Sequence, residues 1–264
     1  MTNCIFGLPS ENWARTGSIT ASAAASGLGP EQMQNNHGAT STAWQTPAGT
    51  TSAHFVLDAG SAVEWGALGL HNSNLTPAGT VRWRLGSDPA FATATYDSGT
   101  LSGTVAAGYR QSVHVLPAAV TARYLRCDIA DATNPESLIR VAQLFAGAVR
   151  RPQRNFGFES SFSRTAEVPA ARTRGGQVFP DFRWSERAWS IALPSLADAD
   201  VWPLVQELQR IAETGGNVLF VPFPAGADIA RDAVFGLLSG ASAVGWPFPA
   251  PHIRRWSCVI TERL

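Results

Sequence analysis

TARYLRCDIADATNPESLIRVAQLFAG, residues 121–147, decides how this chain is read. In its first half Leu125, Cys127 and Ile129 alternate with Tyr124, Arg126 and Asp128, a period of two that sets an apolar row against a core and a polar row outward. Asp131 to Pro135 supplies turn chemistry. Leu138 to Ala146 is then apolar on both faces, which suits a strand buried between a sheet partner and something beyond it. The stretch reads as two strands around one turn that close one domain and launch another, because Arg150-Arg151-Pro152-Gln153-Arg154 follows at once and the sequence changes character there. On this reading Leu144 and Phe145 sit in a strand that both domains share as a rigid joint.

Toward the N-terminus the same alternation recurs. Ala53, Phe55 and Leu57 point inward from Ser52 to Asp58, and Ala59-Gly60 reads as the break that ends the strand. Val63 to Leu70 is another apolar run, Val81, Trp83 and Leu85 oppose Arg82 and Arg84, and Ser112 to Leu116 supplies one more strand. Ser18 to Ser26 is a weak one. Short strands separated by Gly, Pro and Asn predict an antiparallel sandwich or jelly roll. Between them Gly27 to Ala43 is a long polar loop in which Gln32, Gln34, Asn35, Asn36 and His37, flanked by Trp44, mix amide donors with an aromatic face. That chemistry grips sugars or a peptide backbone; the plainer alternative is a surface loop anchored by one tryptophan.

Ile19-Thr20-Ala21-Ser22, Thr42-Ala43-Trp44-Gln45-Thr46, Phe55 to Gly60, Val81-Arg82-Trp83-Arg84, Ala122 to Arg126 and Leu144-Phe145-Ala146-Gly147 occur in an order that resembles discoidin-like domains, of the F5/8 type C, galactose-binding-like kind, over about residues 15–147. The resemblance implies a jelly roll whose loops at one end, 27–44, 71–79 and 86–111, bind glycans or lipid head groups. It makes Asn35, Asn36, His37, Trp44, Asn72, Asn74, Tyr109 and Arg110 the candidate glycan contacts. Some such domains carry calcium, but Asp88, Asp97 and Asp128 are scattered and form no ligand cluster, so no cofactor or metal is expected.

At 264 residues the chain can form two ordinary domains with cores of their own. Its formal charge is zero and all 20 basic residues are arginine, so no polybasic footprint for nucleic acid or anionic lipid is present. Arginine also suits buried ion pairs. Cys4, Cys127 and Cys258 are too scattered for a disulfide scaffold or a zinc site. No signal peptide and no transmembrane-length run are read, so synthesis in the cytoplasm without membrane insertion is expected.

Beyond residue 148, Thr173-Arg174-Gly175-Gly176-Gln177 reads as a hairpin or flexible loop, and Trp189, Ile191 and Leu193 alternate with Ser190 and Ala192 in a strand. Val201, Leu204, Val205, Leu208 and Ile211 then fall at helical spacing, with Asp198 and Asp200 at the N-terminal end and Gly215-Gly216 as the stop. Pro203 predicts a helix start near Asp200, since proline fits the first turn. Three more strands follow, at Asn217 to Phe223, Ala233 to Leu238 and Arg255 to Thr261. The expected fold is mainly β with one principal helix: a galactose-binding-like jelly roll over 1–147 and a β-sandwich with a helix over 148–264.

Gln153-Arg154-Asn155, Arg174 to Gln177, Leu208-Gln209-Arg210, Phe235 to Leu238 and Arg255 to Glu262 resemble the C-terminal part of tail-tip (distal tail, baseplate) proteins of siphovirus-like bacteriophages, in which a tail-tube-like fold builds rings. In distal tail proteins the ring domain usually comes first; here the order is reversed. The resemblance implies a structural virion protein at the tail tip, a ring-forming homo-oligomer with other tail-tip and tail-tube proteins and a cell-surface glycan as partners, and it makes Arg174, Trp246 and Phe248 candidate assembly contacts. The alternative is a free carbohydrate-binding module or adhesin. No enzyme is expected: Asp97-Ser98-Gly99 lacks the second copy an aspartic protease needs, the five histidines show no metal spacing, and no nucleophile elbow, P-loop or dinucleotide fingerprint occurs.

Overall fold

The computed structural model describes residues 2–246 and 252–263, and the chain divides into two compact units. The first holds residues up to Arg151 together with Leu219–Ala233; the second holds Pro152–Val218 and Val234–Arg263. Residues 247–251, Phe248 included, lie outside the described residues.

The first unit contains β1 (Ile5–Gly7), β2 (Ser18–Ala21), β3 (Trp44–Gln45), β4 (Ser52–Ser73), β5 (Thr80–Gly86), β6 (Tyr96–Asp97), β7 (Leu101–Ser102), β8 (Ser112–Ala130) and β9 (Arg140–Gly147). The alternating rows behave as the sequence predicts: Phe55, Leu57, Val81, Trp83, Leu85, Leu125 and Cys127 are all fully buried, with their polar neighbours partly exposed. Ala59-Gly60 does not end a strand. β4 runs on through it, and its pairing with β8 shifts register between Asp58 and Val63, with Gly60 at φ 81° in the interruption. The bulge lets β4 and β8 pass from one layer to the other: near Asp58 β4 pairs with β2 and β8, and beyond Ala67 with β9 and β8. One core, with Trp44, Trp65 and Trp83 at its centre, fills the resulting jelly-roll sandwich.

The opening stretch is not a hairpin. β8 and β9 do not pair with each other, because β4 lies between them. Nor does its last strand wait for the second unit to cover it. Leu144 belongs to the sandwich core, while the Phe145 ring lies against Gly7 of β1, within the first unit.

The second unit contains β10 (Ser161–Glu167), β11 (Ala170–Arg172), β12 (Val178–Pro180), β13 (Trp184–Ala197), a helical run made of α1 (Asp198–Asp200), a π-helical stretch Val201–Gln206 and α2 (Glu207–Thr214), and, after β14 (Asn217–Val221) and α3 (Ile229–Asp232), β15 (Val234–Ser239) and β16 (Ile253–Glu262). Its strands order as β15-β16-β13-β10, all antiparallel. Val201, Leu204, Val205, Leu208 and Ile211 are buried as their spacing predicts. Pro203 falls inside the helical run rather than in its first turn; the widened π stretch accommodates its missing N–H. Arg187, only 1% exposed, makes a bidentate pair with Glu262, Nε to Oε2 2.8 Å and Nη2 to Oε1 2.5 Å, a buried arginine pair of the kind the all-arginine composition suits.

The expected hairpin at 173–177 is the tip of a long arm. Pairing runs from Ser161↔Ser190 to Glu167↔Trp184, continues through Asp181 N–H donating to Pro169 O (2.8 Å), and ends in Ala170↔Pro180 to Arg172↔Val178. Every residue of β11 and β12 is exposed.

Candidate functional site

Asn72, Asn74 and Arg110 come together at one cleft of about 320 Å³ in the first unit, joined there by Thr40, Glu136 and Arg140. The cleft thus draws on the 27–43 loop, the end of β4, the loop before β8 and the loop before β9. Its lining is mainly amide, hydroxyl, guanidinium and carboxylate groups, with Leu75 as its one large apolar side chain.

Asn74 builds the wall rather than reaching out. Its Nδ2 donates to Leu138 O (3.0 Å), its Oδ1 accepts from Arg140 N–H (2.8 Å), and its own carbonyl accepts from Asn134 Nδ2 (3.0 Å). Below it Asp131, 1% exposed, accepts from the Thr76 N–H (2.7 Å) and hydroxyl (2.9 Å). These bonds clamp the 73–79 and 131–138 loops together, so Glu136 and Arg140, which are ion-paired, are held on a fixed backbone.

Arg110 is the exposed cation of the cleft, and among the described residues it has no ion-pair partner. Its backbone is in the left-handed region at φ 51°, as is that of Asn72 at φ 50°. Non-glycine residues seldom adopt that conformation, and it persists where surroundings enforce it. Here Ser73 does so by donating its N–H (2.8 Å) and hydroxyl (3.3 Å) to Arg110 O. The next residue, Gln111, accepts from His71 Nδ1 (3.1 Å), which therefore carries the proton, and donates to Ala230 O (2.7 Å) and Ala233 O (2.8 Å).

The other expected contacts sit elsewhere. Trp44 is fully buried: its ring packs edge-on against Phe55 at 5.7 Å and its Nε1 donates to Ala23 O (3.0 Å), so it anchors the loop from inside and offers no platform. Asn35 folds its own loop, its Oδ1 accepting from His37 N–H (3.1 Å) and Gly38 N–H (2.8 Å). The loop then reaches the cleft through Gly38, whose carbonyl accepts from Asn72 Nδ2 (3.2 Å). Asn36, His37 and Tyr109 are not among the residues that line it. Of the assembly candidates, Arg174 is exposed at the arm tip, and Trp246 is 63% exposed with the Arg254 guanidinium 4.7 Å from its ring centre.

Nothing in the sequence marks Glu136 and Arg140 as site residues, because they border a turn and opposite charges four apart ordinarily signal a helix face. Among the described residues no group of three or more His, Cys, Asp or Glu side chains is placed to hold a metal ion, and no helix is long and apolar enough to cross a membrane.

No protein-family model and no curated protein matches the chain. Solved structures of similar fold do. A fucosidase of Ruminococcus gnavus in complex with fucose matches at 14% identity and a TM-score of 0.42 over 53% of this chain and 27% of its own, so only about a quarter of that enzyme is spanned. A chitosan-binding module from a Paenibacillus chitosanase/glucanase matches at 17% identity and a TM-score of 0.42 over 52% of this chain and 98% of its own. A Streptococcus pneumoniae fucose-binding module matches at 14% identity and a TM-score of 0.40 over 52% of this chain and 94% of its own.

Proposed function

We propose that the first unit is a carbohydrate-binding module whose ligand sits in the cleft of Asn72, Arg110, Glu136 and Arg140. The observation that carries the reading is Arg110: a guanidinium without an ion partner among the described residues, held on a left-handed backbone at a polar cleft. Guanidinium groups and an amide beside a carboxylate suit the dense hydroxyls of a sugar, and a cleft so poor in apolar lining suits few other small ligands. Binding rather than turnover fits the carboxylate inventory. Glu136 is the one carboxylate of the lining and is engaged by Arg140, whereas glycoside hydrolysis by the usual route needs two.

Arg110→Gly tests this directly, because glycine relieves the left-handed strain while deleting the guanidinium. The expected result is an unchanged or raised melting temperature with at least about a tenfold loss of glycan affinity, the cost of removing one charged hydrogen bond. Calorimetry against the best ligand of a glycan panel that includes fucose, Lewis b and chitosan oligosaccharides would show it. A silent panel, or equal binding by the variant, would overturn the reading.

A second reading is favoured by the arm: a structural subunit of a virion tail tip or baseplate that displays this module to a host glycan and joins copies of itself through the second unit. Phe179 is 57% exposed, Phe182 64% and Val178 48%, an apolar surface that none of the described residues covers. A two-stranded ribbon alone is marginally stable, so such an arm fits a chain that docks it. Residues 159–186 balance Arg164, Arg172, Arg174 and Arg183 against Glu159, Glu167, Asp181 and Glu186, a neutral mixed surface that complements a second copy better than a strongly charged partner. Sedimentation velocity should give a discrete oligomer that Phe179→Ser/Phe182→Ser reduces to monomer with its circular dichroism intact. A monomeric wild-type protein, or an oligomer indifferent to the change, would sink it.

A further inference from the structure

Outside the cleft, the polar face of the β4, β8 and β5 strands in the first unit gathers charge in an unusual way. Register places Arg84 of β5 directly opposite Arg126 of β8, and Arg82 and His54 on either side of Asp128. Like charges directly across a strand pair are unfavourable. Asp128 offsets them by accepting from both arginines, from Arg84 Nη2 at 2.7 Å and Arg126 Nη2 at 2.7 Å, while Arg82 is paired with Asp97, Nε to Oδ1 at 2.9 Å. Three guanidiniums thus share two carboxylates, which leaves one positive charge in excess. Each arginine also keeps its Nη1 without a protein partner among the described residues.

The surroundings are built to the same end. A hollow of about 290 Å³ opens on this face, lined by Arg82, Arg84 and Asp128 and by the hydroxyl-bearing Ser52, Thr80 and Thr100. Half-exposed ion pairs contribute little to stability, so folding does not account for drawing a third arginine into the row. Burial first, then Arg126, with Arg84 adding to it against the opposing pull of Asp128, holds His54 below its ordinary value. The pair from Arg82 holds Asp97 below the usual carboxylate range; at Asp128 burial pushes upward, but Arg126 and Arg84 outweigh it. Both carboxylates therefore stay charged at neutral pH, and the excess is cationic.

We infer that this sheet face is a second binding site, distinct from the cleft, for a carboxylate or sulfate group carried on an acidic polysaccharide. Planar guanidiniums with free Nη1 donors grip such oxyanions, and the ring of hydroxyls suits the sugar that carries them.

The test is affinity electrophoresis or calorimetry of the full chain with polygalacturonate and dextran sulfate, against uncharged dextran and against free galacturonate and sulfate, at about 50 mM salt where screening is modest. Arg82→Gln/Arg84→Gln and Arg110→Gly are run in parallel, with melting temperature as the check on folding. The expected result is binding of the acidic polymers but not of dextran, weakened at least about tenfold by the double change, as two charge-assisted bonds are lost, and unaffected by Arg110→Gly. Failure of either acidic polymer to bind, equal binding of dextran, binding of the free anions alone, or a loss confined to Arg110→Gly would overturn it. The last result would move the anion to the cleft and leave the carbohydrate reading standing. If the double change unfolds the protein, Arg82→Gln alone, which leaves Asp128 with both of its partners, must still show the weakening.

Discussion

Trp44→Ala should destabilise the protein by about 3–5 kcal/mol, the range for deleting a buried aromatic side chain, and any loss of sugar binding should follow from that. The residue is fully buried, its ring rests on Phe55, its indole N–H is bonded to Ala23 O, and its backbone pairs with Val141 of β9. Alanine leaves a cavity in the layer that holds the 27–43 loop in place. Urea unfolding of the variant should shift its midpoint sharply to lower denaturant. A variant with an unmoved midpoint that had nonetheless lost its ligand would show the ring to be a contact after all.

The second large effect is expected at Gly147, the last residue of the stretch that decides the fold. A Cβ there would lie 1.8 Å from Glu11 O and 3.1 Å from Asn12 Cα, both backbone atoms that cannot swing aside. The approach is close because Asn12 is stitched to the end of β9: its Nδ2 donates to Leu144 O (3.1 Å) and its Oδ1 accepts from Ala146 N–H (2.9 Å). Gly147→Ala must push the 11–12 segment off and stretch both bonds. A loss of about 3 kcal/mol, at the upper end for overpacking, is expected in a thermal or urea melt. Unaltered stability would mean that the N-terminal segment is not seated on β9 as described.

The parts of the fold that were legible are those set by periodicity. Val81, Trp83 and Leu85, or Val201 to Ile211, announce their element through spacing alone, and each is buried where its period puts it. Strand order was not legible, because Asp131 to Pro135 looks the same whether it joins neighbours or carries the chain across β4. Ala59-Gly60 misled for a related reason, since the residues of a bulge are also those of a turn. At the cleft, the amides Asn72 and Asn74 were visible as residue types, but not that one would present its side chain beside the cleft and the other would be consumed as a clamp. The left-handed backbone of Arg110 leaves no mark in sequence, since glycine and not arginine is its ordinary signature.

The return of residues 219–233 to the first unit bears on the order in which the protein is completed during synthesis. Domains emerging from the ribosome tend to fold from the N-terminus as they appear, yet the Gln111 side chain cannot donate to Ala230 and Ala233 until more than a hundred further residues have been made. The sandwich core can close early, whereas the support behind the Asn72–Arg110 corner is among the last pieces to arrive. A chain stopped at Arg151 would carry every side chain that lines the cleft and still leave the Gln111 amide N–H groups to hydrogen-bond with water.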